Sequence, residues 1–477
     1  MNRISFFLLL PFFFITVQLE AQVNAIPVSE NDRNQGKLPE QTVLTVPNAQ
    51  PQKCIPDDVR EEVRQRIETN KARIKKDNPD TFEGNRGSHP LFILPIQPKE
   101  GFDDYGYYAT RFFVDHNSSF NQHEDYNCGE RTYDWSTGDH EGTDFVIWPY
   151  PWKYMEESVM EVRAAAEGTI VDKQDGNFDM NCQNNGNPNW NGIVIEHPDG
   201  SQAWYWHFKD GGITSKEIGE TVETGEFLGV AGSSGSSSYP HLHFEIYDFE
   251  ENLIDPFIGD CNAEETGSWW ESQPDYYEPQ INHISTHISP QLSIDCPTPE
   301  VTHEAENFII GDTLVLRVFY RDLMPSSVTT VRIWRGIQNV ASWEFTNPWG
   351  YYDAADAYWQ YVLDDSWLPG NYVFQAEYEG VTYSSNFTIA TEIGVEEVAE
   401  TELNIYPNPA EDFLHVVFPA ELVGGDLLVS DAFGRAVIRG VVDKQSMDLG
   451  IEDLASGVYF LRANRDDLML SKRFVVK

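Results

Sequence analysis

The chain has 477 residues, enough for about three or four domains, and 40% apolar with 13% aromatic residues excludes a largely disordered protein. The net charge of -45, from 32 basic and 77 acidic residues, argues against a nucleic-acid partner, because phosphate contacts need clustered lysine and arginine. Short runs of Tyr, Phe, Trp, Val and Thr, cut by Gly, Pro, Asn and Asp, predict a mainly β protein.

Residues 1–22 are typical of a secretory signal peptide, with a basic start at Arg3 and an apolar run over residues 5–17. No later segment is long and apolar enough to cross a bilayer, so we expect no transmembrane segment once the signal is removed. Export permits disulfide bonds. The five cysteines leave at least one that is unpaired or bonded to another chain, and their pairing is open.

Residues 23–100 are predicted to form an N-terminal pro-segment or arm with one helix and no chemistry of its own. Asp57 or Asp58 is expected to cap this helix, which runs to about Lys76. Its apolar stripe has helical spacing and consists of Val59, Val63, Ile67 and Ile74. Positive charge over residues 71–76 suits the negative end of the helix dipole.

Residues 101–262 are denser in aromatic residues, glycines and histidines and are predicted to form a β-rich domain. A hairpin with an Asp-Gly turn is expected over residues 193–207, and a bent strand pair over residues 162–171. The Gly/Ser-rich loop 232–238 lacks the lysine and the following helix of a phosphate-binding loop. We therefore predict that it is a flexible wall of a groove.

Two clusters in this domain have metal-ligand chemistry. His241 and His243 begin a strand-like run, and alternate side chains of a strand point to one face. His140 and Asp144 flank Glu-Gly-Thr, whose Gly and Thr disfavour a helix, so we expect a turn that enters a strand. Zinc binds imidazole and carboxylate, and His140, Asp144 and one of the other two histidines would leave a ligand position for water. His207 ends an aromatic-rich strand that could bring it to the same cleft.

The segments that contain these residues resemble the lysostaphin/LytM-type zinc endopeptidases. They are His-Glu-Gly-Thr-Asp at 140–144, Trp-Tyr-Trp-His at 204–207, and a Gly/Ser loop that leads to His-Leu-His-Phe-Glu at 241–245. The resemblance covers about residues 128–260 and implies an antiparallel β-sheet peptidase domain with one zinc ion. It implies the zinc ligands His140, Asp144 and His243 and the catalytic histidines His207 and His241.

Three features depart from the family pattern and bear on substrate preference more than on chemistry. Tyr239 stands where a small residue is common, residues 148–157 form an aromatic-rich rim, and residues 177–191 are an insertion.

The resemblance also implies an activity, hydrolysis of peptide bonds by zinc-activated water with two assisting histidines. Which histidine acts as the base stays open. The family commonly cuts peptidoglycan cross-bridges, and some relatives cut glycine-rich proteins, so we expect peptidoglycan or an extracellular protein as substrate. One alternative is a catalytically inactive cell-wall-binding or regulatory protein on the same fold. Another is an adhesin with structural zinc, which would need a fourth protein ligand.

The rest of the chain is predicted to be β-structured. Residues 297–391 alternate apolar and polar positions, which predicts an Ig-like β-sandwich that serves as a spacer or binding module. The acidic stretch 396–402 indicates a linker, and residues 400–477 are predicted to form a small β-sandwich. Tyr-Pro-Asn-Pro at 406–409, Leu-Ala-Ser-Gly-Val-Tyr at 454–459 and a basic end closely resemble the sorting domain of type IX secretion cargo in Bacteroidetes.

This second resemblance implies export through the periplasm and outer membrane by the type IX secretion machinery. The protein is therefore expected to be secreted or held at the cell surface.

Overall fold

The structure is a computed structural model, and it describes residues 55–79, 81–82, 88–135, 138–262, 267–292, 296–390, 403–431, 435–465 and 468–477. The predicted signal peptide, Cys54 and the acidic stretch 396–402 lie outside these ranges. The chain forms two compact units that divide after Ala390. Both units are mainly β, as the sequence predicts.

Helix α1 (Asp57–Asp77) confirms the predicted N-terminal helix. The predicted stripe is buried as expected and consists of Val59, Val63, Ile67 and Ile74. The predicted cap is wrong, because Pro56 occupies the N-cap position and its side chain makes no capping hydrogen bond. Asp57 and Asp58 lie inside the first turn instead, where their negative charge favours the helix dipole. A second helix, α2 (Pro151–Glu156), lies in the aromatic-rich rim.

The strands before the sandwich are β1 (Ile96–Pro98), β2 (Tyr108–Phe112), β3 (Asp134–Trp135), β4 (Gly138–Asp139), β5 (Thr143–Ile147), β6 (Met160–Arg163), β7 (Gly168–Gln174), β8 (Gly192–Glu196), β9 (Gln202–Trp206), β10 (Thr221–Val222), β11 (Phe227–Val230), β12 (His241–Tyr247) and β13 (Leu253–Ile254). The main sheet has the order β10-β7-β8-β9-β12-β5-β2, with β13 also paired to β12. Its pairs are antiparallel. Strands β1, β6 and β11 form a smaller antiparallel sheet, and β3 pairs with β4.

The local predictions in this region divide into one success and one failure. The predicted hairpin is confirmed, because β8 pairs with β9 and Gly200 takes a φ of 95° in the turn. The strand pair predicted for residues 162–171 is wrong, because β6 pairs with β1 and β11 whereas β7 pairs with β8 and β10. Ala164 and Ala165 between the two strands are fully buried, so the chain crosses the core there and does not fold back on itself.

Helix α1 covers part of one face of the main sheet. Val59, Val63 and Ile67 of its apolar stripe pack against a cluster of sheet and loop residues, which comprises Val171, Trp190, Val194, Trp204, Trp206 and Tyr247. Two ion pairs flank this contact, Arg66 with Asp172 at 2.8 Å and Lys71 with Glu196 at 2.7 Å. Burial of large aromatic rings is the main stabilising contribution here.

The loop 232–238 is buried and held by hydrogen bonds, so the prediction of a flexible wall is wrong. Ser234 Oγ accepts a hydrogen bond from the N–H of Asn191 at 2.9 Å, and Ser233 Oγ donates to the carbonyl of Asn181 at 2.8 Å. Both partners belong to the insertion noted in the sequence, which therefore supports the loop.

Within the part of the chain that the structure describes there are two disulfides, Cys128–Cys261 and Cys182–Cys296. The second one joins the insertion to the connection between the first two strands of the sandwich, so these two parts of the chain are covalently linked.

The sandwich strands are β14 (Gln280–His287), β15 (Asn307–Ile309), β16 (Thr313–Leu323), β17 (Val328–Arg335), β18 (Gln338–Thr346), β19 (Tyr352–Val362), β20 (Gly370–Tyr378) and β21 (Val381–Ala390). They form two sheets, β14-β16-β19 and β15-β21-β20-β17-β18, around one apolar core.

The sandwich packs directly against the main-sheet region. Trp148 Nε1 donates to the carbonyl of Tyr320 at 3.0 Å, and Asn282 Nδ2 donates to the carbonyl of Tyr108 at 2.8 Å. Phe319 of β16 is fully buried in the apolar core of the main-sheet region. The two regions thus share a core, although the limits 101–262 and 297–391 stay predictions.

The second unit contains β22 (Asn404–Tyr406), β23 (Phe413–Val417), a short 3-10 helix (Ala420–Leu422), β24 (Asp426–Asp431), β25 (Ala436–Val441), β26 (Ser446–Gly450), β27 (Gly457–Arg465) and β28 (Leu468–Val476). Two antiparallel sheets, β22-β23-β26 and β25-β24-β27-β28, enclose its core. Within the described ranges of the whole chain, no helix is both long and apolar enough to span a membrane.

Candidate metal centre

Strand β12 places two histidines on one face of the main sheet. It lies between β5 and β9, and His243 is opposite both Asp144 of β5 and Trp206 of β9. Since side chains alternate along a strand, His241 and His243 share a face, while Leu242 is fully buried in the apolar core. The same-face prediction for this tripeptide agrees with the structure.

The segment from His140 to Asp144 is a turn that enters β5, as the sequence predicts. Gly142 in this turn lies against the His243 ring. A Cβ atom at Gly142 would approach Nε2 of His243 to 2.7 Å and the carbonyl oxygen of Phe244 to 2.8 Å. Only glycine therefore lets the turn approach β12 this closely, which explains the Gly in the His-Glu-Gly-Thr-Asp motif.

His140, Asp144 and His243 converge on one point. The Oδ1 atom of Asp144 lies 2.7 Å from His243 Nδ1 and 3.3 Å from His140 Nε2, and the two nitrogens are 3.2 Å apart. The three donor atoms lie within 4.8 Å of one another, the spacing of a metal-binding group. Among the described residues, this is the group of three or more His, Cys, Asp or Glu with such a spacing.

Hydrogen bonds at the outer ring nitrogens fix the tautomers of both histidines. His140 Nδ1 donates to the carbonyl of Phe113 at 2.7 Å, and His243 Nε2 donates to Glu245 Oε1 at 2.9 Å. The nitrogens that face Asp144, His140 Nε2 and His243 Nδ1, are therefore lone-pair donors in the neutral rings. Two lone pairs and a carboxylate that face one another suit a cation such as zinc.

The pKa shifts of Asp144 and His243 agree with a site that binds a cation. Burial by itself raises the pKa of Asp144, but the adjacent His140 and His241 imidazoles hold it well below its ordinary value. Burial by itself lowers the pKa of His243, but hydrogen bonds to Asp144 and Glu245 raise it to about 9. With this pKa the His243 ring carries a second proton at neutral pH when no metal is bound, and that proton lies on Nδ1, which faces Asp144; a bound metal ion would replace it.

His207 and His241 form a second pair beside this group, with ring centroids 4.6 Å apart. His207 Nδ1 donates to the carbonyl of Ser234 at 2.6 Å, and His241 Nδ1 donates to the carbonyl of Tyr239 at 2.8 Å. His207 follows the last residue of β9 and has a φ of 69°, so strand alternation does not set the direction of its ring.

Both members of this pair are held in the neutral form. Burial lowers the pKa of His241 in spite of the nearby Asp144 carboxylate. Burial and the neighbouring His241 and His243 hold the pKa of His207 well below its usual range. Each ring thus has an unprotonated Nε2, the state that accepts a proton.

A charged residue of the sandwich, Asp353 of β19, pairs with an arginine of the main sheet near the site. Arg111 of β2 lies over the ring of Tyr239, with its guanidinium carbon 5.2 Å from the ring centroid. Arg111 Nε is also 3.2 Å from Asp353 Oδ2 of β19. Because the Tyr239 ring is 5.2 Å from the His241 ring, this contact links the sandwich to the wall of the site.

The structure therefore brings together all five residues singled out in the sequence, His140, Asp144, His207, His241 and His243. Each of them is exposed by 4% or less. Their assignment as zinc ligands or catalytic residues stays a proposal.

Two further residues belong to the same network and were missed in the sequence. Glu245 accepts a hydrogen bond from His243. Its position two residues after His243 on the same strand, and so on the same face, could have indicated this contact. Arg60 of α1 binds Glu245 at 2.6 Å. The sequence pattern that could have identified Arg60 is its helical spacing, three residues before Val63 and seven before Ile67, which places an arginine inside an apolar stripe.

The other histidines for which contacts are described lie elsewhere and have their own partners. His116 pairs with Asp255, and His197 Nδ1 donates to the carbonyl of Glu167. His283 and His287 lie on β14.

Two family models match this chain. "Peptidase family M23" matches residues 140–256, and "Secretion system C-terminal sorting domain" matches residues 404–477. The first match contains all five site residues.

Comparisons with individual proteins give partial matches. The chain is 31% identical over 108 residues to glycyl-glycine endopeptidase ALE-1 of Staphylococcus capitis, covering 23% of this chain and 24% of the relative. It is 28% identical over 81 residues to beta-agarase A of Zobellia galactanivorans, covering 17% of this chain and 15% of the relative. The chain thus spans about a quarter or less of the length of these curated relatives.

The catalytic domain of lysostaphin from Staphylococcus simulans is similar at 24% identity, covering 33% of this chain and 89% of that chain with a TM-score of 0.19. From the two family-model matches, the chain carries a domain of peptidase family M23 at residues 140–256 and, at residues 404–477, a secretion system sorting domain that indicates type IX export to the cell surface or the extracellular space.

Proposed function

We propose that this protein is a secreted zinc metalloendopeptidase that hydrolyses peptide bonds. The observation that supports this most strongly is the convergence of His140, Asp144 and His243, with the outer nitrogen of each histidine held by an acceptor. Three protein ligands are the number found in catalytic zinc sites, whereas structural sites use four.

In this proposal His140 Nε2, Asp144 Oδ1 and His243 Nδ1 hold the zinc ion. Bound zinc supplies Lewis-acid chemistry, which polarises a carbonyl and acidifies water. The unprotonated Nε2 atoms of His207 and His241 suit the proton transfers of hydrolysis. One ring accepts a proton from the attacking water, and the pair then stabilises the oxyanion and protonates the leaving amine.

We propose peptidoglycan cross-links or stem peptides, or glycine-rich proteins, as the substrates. The relative named glycyl-glycine endopeptidase supports bonds next to glycine. The net charge of -45 does not favour tight binding to an anionic wall polymer, so both substrate classes stay in the proposal. The competing function is an inactive cell-wall-binding or regulatory protein on the same fold.

The test incubates the full chain with purified peptidoglycan and, separately, with a glycine-rich protein, followed by mass spectrometry of the cut ends. We expect new amino termini that disappear with a zinc chelator and return when zinc is added back. The His207→Ala variant is the control for contaminating peptidases. Bound zinc without hydrolysis of either substrate would contradict the enzyme proposal and favour the regulator.

A further inference from the structure

Arg60 is a buried cation on a helix face that is otherwise apolar. Its side chain is 4% exposed, and it lies on α1 between Val59 and Val63, which pack against the main sheet. A buried guanidinium must be paired and hydrogen-bonded, since desolvation of an unpaired charge is very costly. Its partners therefore show what this position does.

Arg60 donates to the carbonyl of Ile55 at 2.7 Å and lies 3.7 Å from Asp57 on its own segment, and its other partners come from both segments that carry the proposed zinc ligands. Nη2 lies 2.6 Å from Glu245 Oε1, and Nε donates to Glu245 Oε2 at 3.4 Å, so the contact with β12 is two-pronged. Nη1 lies 2.6 Å from Glu141 Oε2 in the turn between His140 and Asp144.

Both contacts lead directly to ligand residues. Glu245 Oε1 accepts the hydrogen bond from His243 Nε2 at 2.9 Å, and Glu245 Oε2 accepts one from the hydroxyl of Tyr247 at 3.0 Å. The Glu245 carboxylate is fully buried, and Arg60 is its cationic partner from outside β12. Glu141 follows His140 in the chain, so its position affects the path of the turn.

We propose that Arg60 is a positioning residue that holds the His140–Asp144 turn and β12 at the separation that metal binding needs. Helix α1 is then required for the geometry of the metal centre and is not a removable pro-segment. This inference rests on the proposed function, because it concerns the same zinc site. Partners that orient ligating histidines commonly change metal affinity about 10- to 100-fold when removed.

Arg66 provides a matched control on the same helix. Arg66 Nη2 lies 2.8 Å from Asp172 Oδ2, and Asp172 is buried on β7. Arg66→Ala therefore also removes the cationic partner of a buried carboxylate and weakens the packing of α1. Asp172 is not hydrogen-bonded to a proposed ligand, so this variant separates helix packing from ligand positioning.

The experiment compares the unsubstituted full chain with Arg60→Ala, Arg60→Lys and Arg66→Ala. The zinc dissociation constant is measured by competition with a chromophoric chelator, and the cobalt-substituted proteins are examined by visible absorption. The thermal midpoint of the metal-free proteins reports stability. For Arg60→Ala we expect about 10- to 100-fold weaker zinc binding and an altered cobalt spectrum. Arg66→Ala should keep the dissociation constant within about twofold although its thermal midpoint falls.

Arg60→Lys should lie between these two, because a single ammonium cannot bind both carboxylates as the planar guanidinium does. If Arg60→Ala does not fold, the zinc affinity of Arg60→Lys tests the positioning role of Arg60 instead. Equal zinc affinity and equal cobalt spectra in the Arg60 and Arg66 variants would overturn the inference. Failure of the unsubstituted chain to bind zinc would instead overturn the proposed function.

Discussion

Two sets of histidines with little exposure lie in the first compact unit, the buried ones of the candidate metal centre and, on β14, the half-buried His283 and the buried His287. In the metal centre His140 and His243 each use one ring nitrogen for a fixed acceptor and turn the other toward Asp144. On β14, His283 uses both nitrogens, Nδ1 at 2.6 Å from Asp104 and Nε2 at 3.0 Å from Glu304.

His287 is satisfied in the same way. Its Nδ1 donates to the carbonyl of Thr302, and its Nε2 accepts from the hydroxyl of Ser285 at 2.8 Å. Burial alone therefore does not distinguish a metal site from a structural histidine. The distinguishing feature is that two ring nitrogens and a carboxylate converge on one point, where the proton between His243 and Asp144 can be replaced by a metal ion.

The largest effect that tests this difference is expected at Asp144. Asp144→Ala removes the carboxylate on which the two ligand nitrogens converge, so we expect zinc binding to weaken by at least about 1,000-fold. Equilibrium dialysis followed by metal analysis measures it. His283→Gln is the control from the other set and should bind zinc as the unsubstituted chain does. Full zinc occupancy in Asp144→Ala would refute the ligand assignment.

A smaller effect is expected from the proposed catalytic pair, and it should appear in the hydrolysis rate alone. His207→Ala and His241→Ala should each lower the hydrolysis rate on the order of 100- to 1,000-fold, because proton transfer loses its acceptor or donor. Zinc content, measured in the same samples, should stay at one ion per chain. Loss of zinc in either variant would move that histidine into the ligand set.

The smallest effect concerns His287 and acid stability. Burial lowers the pKa of His287 to about 4, whereas the unfolded chain has a value near 6.5. Between these values the unfolded chain binds a proton that the folded chain does not, so stability falls as pH drops from about 6.5 toward about 4. The full difference is about 3 kcal/mol.

Denaturant unfolding at several pH values, followed by tryptophan fluorescence, measures this dependence. The His287→Gln variant should show a flatter slope of unfolding free energy between about pH 4 and pH 6.5. An unchanged slope in this variant would show that His287 does not carry the acid sensitivity.

Features with a local signal were predicted well from the sequence. The period of two along β12 places His241 and His243 on one face, and the period of 3.6 along α1 identifies its buried stripe. The poor helix propensity of Gly142 and Thr143 indicates the turn before β5. The family resemblance, and not spacing, assigned separate roles to the two histidines of β12.

Features that depend on distant partners were not predicted. Arg60 and Glu245 are 185 residues apart, and no local pattern encodes their contact. The left-handed backbone at His207 is uncommon for a residue other than glycine, and no local pattern in the sequence predicts it. The separation of β6 and β7 into different sheets depends on which strand edges are available, and the two disulfides depend on the folded path of the chain.

The strict alternation along β12 makes the site sensitive to the register in which this strand pairs with its neighbours. One face carries His241, His243 and Glu245, and the other contributes Leu242 and Phe244 to the apolar core. A slip of one residue in pairing would exchange the two faces completely, with charged groups in the core and hydrocarbon at the metal site. On the proposed ligand assignment such a species lacks the zinc site, so zinc stoichiometry would measure the fraction of molecules in the correct register.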